Sequence, residues 1–138
     1  MKRFTIKSIL GNYQLHEVKL TRKFFFNKKS NFFLIDKNVY KKNKILFKIK
    51  KNIILINSNE NSKSYKKISN IIKLLLKNNI KRDSTIFAIG GGIVQDIAGF
   101  VSSILFRGLH WNYIPTTILS QCDSCIGGKT SINFEKYK

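Results

Sequence analysis

Apolar residues along this chain fall into two kinds of run, and the two kinds alternate. Residues 3–10 ("RFTIKSIL") and 13–20 ("YQLHEVKL") read as short strands joined at Gly11-Asn12. Both joining residues tolerate positive φ, so a tight N-terminal β-hairpin is expected. "NFFLID" (31–36) and "NIILIN" (52–57) are continuously apolar and end in polar residues. Such runs suit strands buried on both faces, as in a parallel sheet.

The polar connection "SNENSK" leads into residues 64–80, where Tyr65, Ile68, Ile71, Ile72, Leu75 and Leu76 recur at steps of three and four. That spacing predicts an amphipathic helix with Ser62 or Ser64 as its N-cap and lysines on its solvated face. "TIFAI" (85–89) predicts a buried strand, Gly90-Gly91-Gly92 a tight turn, and Ile93 to Phe106 a mostly apolar helix. "WNYI" (111–114) predicts another strand, ended by Pro115, and helical spacing resumes through Ile118, Leu119 and Cys122. Alternating strands and helices argue for an α/β fold whose largely parallel sheet is flanked by helices.

With 138 residues and 43% hydrophobic content, the chain has the size of a single domain with a real core. No apolar run reaches the roughly 18 residues of a membrane span. The basic start "MKRFTIKSIL" is too short and polar for a signal-peptide core, so a cytoplasmic protein with no membrane partner is expected. The chain ends on "NFEKYK" without cap, proline or polar tail, and reads as the first part of a longer protein.

The formal charge of +19 would ordinarily point to nucleic acid. Its distribution argues otherwise: 22 of the 26 Lys and Arg residues, but only 4 of the 7 acids, lie in the first 83 positions. Lysine accompanies abundant Asn, Ile and Phe, the signature of an A/T-rich genome loading tolerant surfaces with lysine. "KKNKILFKIKKN" (41–52) lacks the aromatic interleaving that single-strand binders use for base stacking, so no nucleic-acid partner is expected.

Candidate chemistry concentrates after residue 84. Three glycines between a buried strand and a helix allow close approach of an anion to free N–H groups at the helix start. The dinucleotide fingerprint G-x-G-x-x-G is not met, because its last position is Gln95. Asp96, expected in the first turn of an otherwise apolar helix, could accept hydrogen bonds from a ribose or an amide. These features suit a dinucleotide site of non-standard sequence.

"CDSCIGGKTS" (122–131) admits more readings. A P-loop would need glycine where Asp123 stands, and an acid there repels phosphate. Cys122 and Cys125 would supply only two zinc ligands, and neither His16 nor His110 has the spacing to complete a site. The cysteines are therefore expected to be buried or partly buried thiols, and no metal site is predicted. The remaining groups, Thr116, Thr117, Asp123, Ser124, Lys129 and Thr130 around Gly127-Gly128, suit a polyhydroxylated anionic small molecule. Arg107, beside Gly108, is a candidate clamp for a phosphate or carboxylate.

The order "GGGIVQDIAGF…FRG…PTTILSQCDSCIGGKTSIN" closely resembles the amino-terminal half of the 3-dehydroquinate synthase family. Its corresponding run is GGG-x-x-x-D-x-AGF, then RG, PTT, a D-S pair and GGKTG-x-N. "LIDKNV" and "ENSK" are similar to the family's Asp-x-Asn and Glu-x-x-Lys elements. The resemblance implies a Rossmann-like NAD-binding domain over residues 1–138, without the helical metal-binding C-terminal domain of the family. It also implies that Asp36 and Asn38 meet the adenosine end of NAD, with Glu60 and Lys63 along the cofactor. Gly91, Gly92 and Ile93 would support the pyrophosphate, and Asp96, Thr116 and Thr117 the ribose and nicotinamide side. Asp123 and Lys129 would hold the substrate, Arg107 would reach a substrate phosphate in a neighbouring subunit of a homodimer, and Lys138 would lie near NAD and substrate.

The implied activity is NAD-dependent conversion of 3-deoxy-arabino-heptulosonate 7-phosphate to 3-dehydroquinate with phosphate elimination, a lyase step of the shikimate pathway in aromatic amino acid biosynthesis. A divalent metal, zinc or cobalt, is expected only in the full-length enzyme. The fragment alone is expected to be inactive. Departures from the pattern are Gln95 in place of glycine, Cys122 and Cys125 in place of small or apolar residues, and Ser131 in place of a common glycine. Three other readings stay open: a sister cyclase acting on another heptulose phosphate, a metal-dependent polyol dehydrogenase of the same superfamily, and a non-catalytic basic binding module.

Overall fold

The computed structural model describes residues 3–7, 9, 12–18, 21, 30–47, 52–126, 129–135 and 137. Strand β1 (Arg3–Ile6) pairs antiparallel with β2 (Tyr13–His16), so an N-terminal hairpin forms, but Ile6 stands opposite Tyr13 and residues 7–12 separate the strands in place of the expected two-residue Gly11-Asn12 loop. Gly11 of its connection lies outside the described residues. Then come β3 (Asn31–Asp36), helix α1 (Lys37–Lys42) and β4 (Ile53–Ile56). A 3-10 turn (Glu60–Lys63) leads into α2 (Tyr65–Lys77). After it follow β5 (Thr85–Gly90), α3 (Gly92–Ile104) and β6 (His110–Pro115).

The four later strands form one parallel sheet in the order β4-β3-β5-β6. The chain leaves β3 towards β4 on one side, then crosses to β5 on the other. The carboxyl ends of β3 and β5 therefore form a topological switch point, where connections diverge and leave a crevice.

The period-2 alternation of side chains sorts the apolar runs onto two faces. Phe32, Leu34, Ile54, Ile56, Ile86 and Ala88 belong to a core shared with Ile68, Ile71 and Leu75 of α2 and with Val94, Ile97, Ala98 and Val101 of α3. The other face gathers Phe33, Ile35 and Ile89 with Phe47, and with the partly buried Val39, Tyr40 and Leu46. Cover on this second face is thinner, leaving Leu55 of β4 43% exposed.

The start of α2 differs from expectation. Ser64 holds the N-cap position but makes no side-chain cap bond, and the Ser62 hydroxyl donates to Asn59 Oδ1 (2.9 Å). The first helical amide, that of Tyr65, instead donates to the carbonyl of Asn133 (2.9 Å). A helix start has orphan N–H groups, and a distant backbone segment can satisfy one as well as a serine can. Helix α3 starts one residue earlier than predicted, at Gly92, which moves Asp96 from the first turn into the second. Past Ile104 the backbone is left-handed at Phe106 (φ 52°), Arg107 (φ 65°) and Gly108 (φ 114°), which stops the helix.

The glycines of the turn play different parts. A Cβ on Gly90 would lie 2.5 Å from Val94 Cγ2, so β5 and α3 can pack this closely only over glycine. A Cβ on Gly92 would meet nothing within 4 Å. Gly90→Ala is therefore expected to lose about 1–3 kcal/mol through overpacking, and Gly92→Ala to stay within about 0.5 kcal/mol of the parent. Urea unfolding of the two variants checks the contrast.

Candidate functional site: a switch-point cleft and a buried ion cluster

The cleft is built from the segments that leave β3, β5 and β6. Asp36, the last residue of β3, is buried, and its carboxylate accepts from the amides of Asn38 (2.6 Å) and Val39 (3.3 Å) and from the Ser58 hydroxyl. It thus caps α1 and ties it to the segment after β4. Asn38 is exposed on the first turn of α1. Across the cleft, the Thr116 amide donates to the Gly90 carbonyl (2.9 Å), and Thr117 packs so close to Gly91 that a Cβ there would lie 3.1 Å from Thr117 Cγ2. A cavity of about 410 Å³ is lined by Asp36, Asn38, Phe47, Ile89, Thr116 and Thr117 among others. Gly92 and the half-buried Ile93 open α3 beside it.

The second feature is an ion cluster. Lys63 is only 8% exposed, and its ammonium lies 2.7 Å from Asp96 Oδ2 and 3.5 Å from Glu60 Oε1. Burial alone would lower the lysine pKa, but the hydrogen bond and charge of Asp96, followed by the charge of Glu60, outweigh it and hold the ammonium above its ordinary value. Asn133 locks the cluster from behind: its amide donates to the Lys63 carbonyl (2.9 Å) and its side chain to Glu60 Oε1 (3.2 Å). Asp96, distant in sequence, is thereby brought together with Glu60 and Lys63 of the 3-10 turn.

The segment after β6 winds into a wide helical turn, Ser120–Ser124, closed by the Cys125 amide on the Ser120 carbonyl (2.9 Å). The Thr117 hydroxyl bonds to Ser120 Oγ (2.8 Å) at its start. Tyr113 donates from its phenol to the Gly90 carbonyl (3.1 Å). Burial raises the Tyr113 pKa, against the pull of the Ser120 and Ser124 hydroxyls, so the phenol keeps its proton and its role as donor. Further on, the Thr130 hydroxyl donates to the Asp96 carbonyl (2.7 Å). Gly99 makes room for this approach, since a Cβ there would lie 3.3 Å from Thr130 Cβ.

Asp123 and Lys129 are both exposed on this segment, and Gly127 and Gly128 between them lie outside the described residues. Cys125 is half-buried as expected, but Cys122 is exposed, because the turn points it away from the core. Arg107 does not join the cleft. It follows the far end of α3, a helix about 20 Å long, and is exposed just before β6, at the amino-terminal ends of the strands. Lys138 lies outside the described residues. Among the described residues, no group of three or more His, Cys, Asp or Glu side chains is placed to hold a metal.

The sequence signalled no role for Asn133, Gly99 or the side chain of Gln95, and it suggested Thr130 as a small-molecule ligand group rather than as the bond to α3 that it makes. A glycine inside an apolar helix signals close approach, and a glutamine on its buried side signals a partner. The two asparagine contacts carry no such signal, since they join residues 73 positions apart.

A parallel sheet with a glycine turn at its switch point and a crevice beside it defines a Rossmann-like unit. The chain belongs to the 3-dehydroquinate synthase family: the family described as "3-dehydroquinate synthase N-terminal" matches residues 53–138. It is 37% identical to the 3-dehydroquinate synthase of Buchnera aphidicola subsp. Cinara cedri over 96% of this chain. To that of Dictyoglomus turgidum it is 42% identical over 83%. It spans 38% and 33% of the lengths of those relatives.

Solved structures share the fold. 2-Deoxy-scyllo-inosose synthase complexed with carbaglucose-6-phosphate, NAD+ and Co2+ aligns with a TM-score of 0.80 at 18% identity, over 99% of this chain and 41% of that one. 2-Epi-5-epi-valiolone synthase from Streptomyces hygroscopicus subsp. jinggangensis, with NAD+ and Zn2+ bound, aligns with a TM-score of 0.68 at 24% identity, over 76% and 32%. No helix among the described residues is long and apolar enough to cross a membrane.

Lys63→Met would leave the Asp96 carboxylate without its cation, at an expected cost of about 2 kcal/mol near pH 7, less than for a fully buried pair because Asp96 keeps some exposure. A raised lysine pKa means that the stabilisation is complete below about pH 10, the unfolded value. It declines as the pH rises through the higher folded value. The stability difference between parent and variant, from urea unfolding between pH 7 and 11, should therefore be constant at first and then shrink.

Proposed function

We propose that residues 1–138 form the NAD-binding unit of a 3-dehydroquinate synthase, the lyase that converts 3-deoxy-arabino-heptulosonate 7-phosphate to 3-dehydroquinate and phosphate. The observation that carries this reading is the Lys63–Asp96 pair set beside the open Gly92 turn, in a chain of this family. The space over Gly92 lets a pyrophosphate approach the N-terminus of α3, where Gly91, Gly92 and Ile93 would support it. Asp36 and Asn38 line the cavity on the adenosine side. The Glu60–Lys63–Asp96 cluster carries a net charge of about −1, which favours the cationic nicotinamide end over the pyrophosphate. Asp96, Thr116 and Thr117 would serve that ribose and ring, with Lys138 near both ligands.

Bound NAD would supply reversible hydride transfer at a substrate hydroxyl, and Asp36, Asp96 and the Gly91-Gly92 turn would have to hold it through the whole cycle. Asp123 and Lys129 would hold the sugar acid. Arg107, presented at the far end of α3, would serve a neighbouring subunit of a homodimer. The described residues do not fit a metal site. A zinc or cobalt ion would need ligands from the additional length that the relatives have, and this chain alone is expected to be inactive. A cytoplasmic location and a single sugar-phosphate substrate, with no nucleic acid, complete the reading.

Calorimetric titration with NAD tests the cofactor assignment. The parent should bind, Asp96→Ala should bind at least tenfold more weakly, and Gly92→Val should close the approach to the turn. Salt-dependent DNA binding with no NAD affinity would instead establish a basic binding module. For the reaction, a chimera joining residues 1–138 to the remaining length of a relative should release phosphate from the seven-carbon substrate with NAD and zinc or cobalt. Turnover of a different heptulose phosphate alone would move the chain to a sister cyclase.

A further inference from the structure

Gln95 is 5% exposed, on the buried side of α3 at the end of its first turn. Its Nε2 donates to the carbonyl of Ser124, 29 residues away, at the end of the wide turn that carries Asp123. Its Oε1 is buried with no partner. Burying a primary amide to satisfy one acceptor, while leaving its own carbonyl unpaired, is costly. The adjacent residue, Asp96, accepts at its carbonyl from the Thr130 hydroxyl (2.7 Å). Two successive residues of one helix turn thus fasten both ends of the segment from Ser124 to Thr130.

We propose that Gln95 is a positioning residue: its side-chain amide holds the Ser120–Ser124 turn on α3 and so sets where Asp123 stands relative to Asp96. The value of that placement for substrate rests on the function proposed above, whereas the hold itself does not. With Thr130 fastened to backbone and Gln95 to Ser124, Asp123 and Lys129 sit at the two ends of a loop whose anchors cannot drift apart. The substrate side of the site is then registered to the cofactor side through one turn of helix.

The two cysteines report on this turn directly. Cys122 is exposed, and Cys125 is half-buried with its thiol donating to the Gln121 carbonyl (3.1 Å). Gln95→Met keeps the side-chain length and removes the donor. In the 138-residue chain, iodoacetamide should then alkylate Cys125 at least fivefold faster while Cys122 changes less than twofold. Amide exchange in β3 and β5 should be unchanged.

Gln95→Glu provides the rescue. Its protonated acid can donate to the Ser124 carbonyl and its carboxylate cannot, so the Cys125 amide should keep its parental protection near pH 5 and lose it near pH 8. An unaltered Cys125 rate in folded Gln95→Met, or equal protection at both pH values in Gln95→Glu, would overturn the proposal. Absence of NAD binding by the parent would remove the functional reading and leave both of these measurements intact.

Discussion

The ammonium of Lys63 imposes the constraint on which the rest of the site depends. Removing such a charge from water costs several kcal/mol unless it is paired and hydrogen-bonded. Asp96 supplies the close partner and Glu60 a second carboxylate, and they come from different elements. Satisfying one charge therefore requires the 3-10 turn after β4 to meet the second turn of α3. Asn133 then closes the arrangement by bonding to Glu60, to the Lys63 carbonyl and to the first amide of α2. Helix start, ion pair and carboxyl-terminal segment share this single solution.

Helix α3 carries most of the consequences. Its buried side packs on the sheet through Val94, Ile97, Ala98 and Val101, its first residues face the open turn, and the adjacent Gln95 and Asp96 reach Ser124 and Lys63 respectively. Gly99, one turn further on, lets the Thr130 segment lie against the helix. Cofactor side and substrate side are registered to one rigid rod rather than to each other through flexible loops. At its far end the rod stops in three left-handed residues, two of them non-glycine. Such a conformation is unfavourable for side-chain-bearing residues. It turns Arg107 outwards, away from the cleft of its own chain.

Much of the scaffold was legible because periodicity records burial. "NFFLID", "NIILIN" and "TIFAI" each hold four consecutive apolar residues, and they became parallel strands with both faces occupied or partly occupied. The three-and-four spacing from Tyr65 became α2. The serine cap did not form, because a local rule competed with a backbone carbonyl that the sequence places 68 positions away. The cysteines misled for a similar reason: apolar spacing around Cys122 suggested a buried helix face, yet the turn leaves Ile118, Leu119 and Cys122 exposed.

By itself, the sequence determined the sheet strands and the two long helices (though not α1), their parallel α/β arrangement, and the family to which the motif order belongs. Hydrophobic period, glycine runs and short motifs are local signals, and local signals survive without coordinates. Only the tertiary structure decided that Gly90 is glycine for packing while Gly92 opens space for a ligand. It also paired Lys63 with Asp96, set Arg107 at the end of the strands away from the cleft, and gave Gln95 a partner in Ser124. The Lys63–Asp96 and Gln95–Ser124 contacts join residues far apart in the chain, and all of these features depend on distance and burial. Residue spacing carries neither quantity.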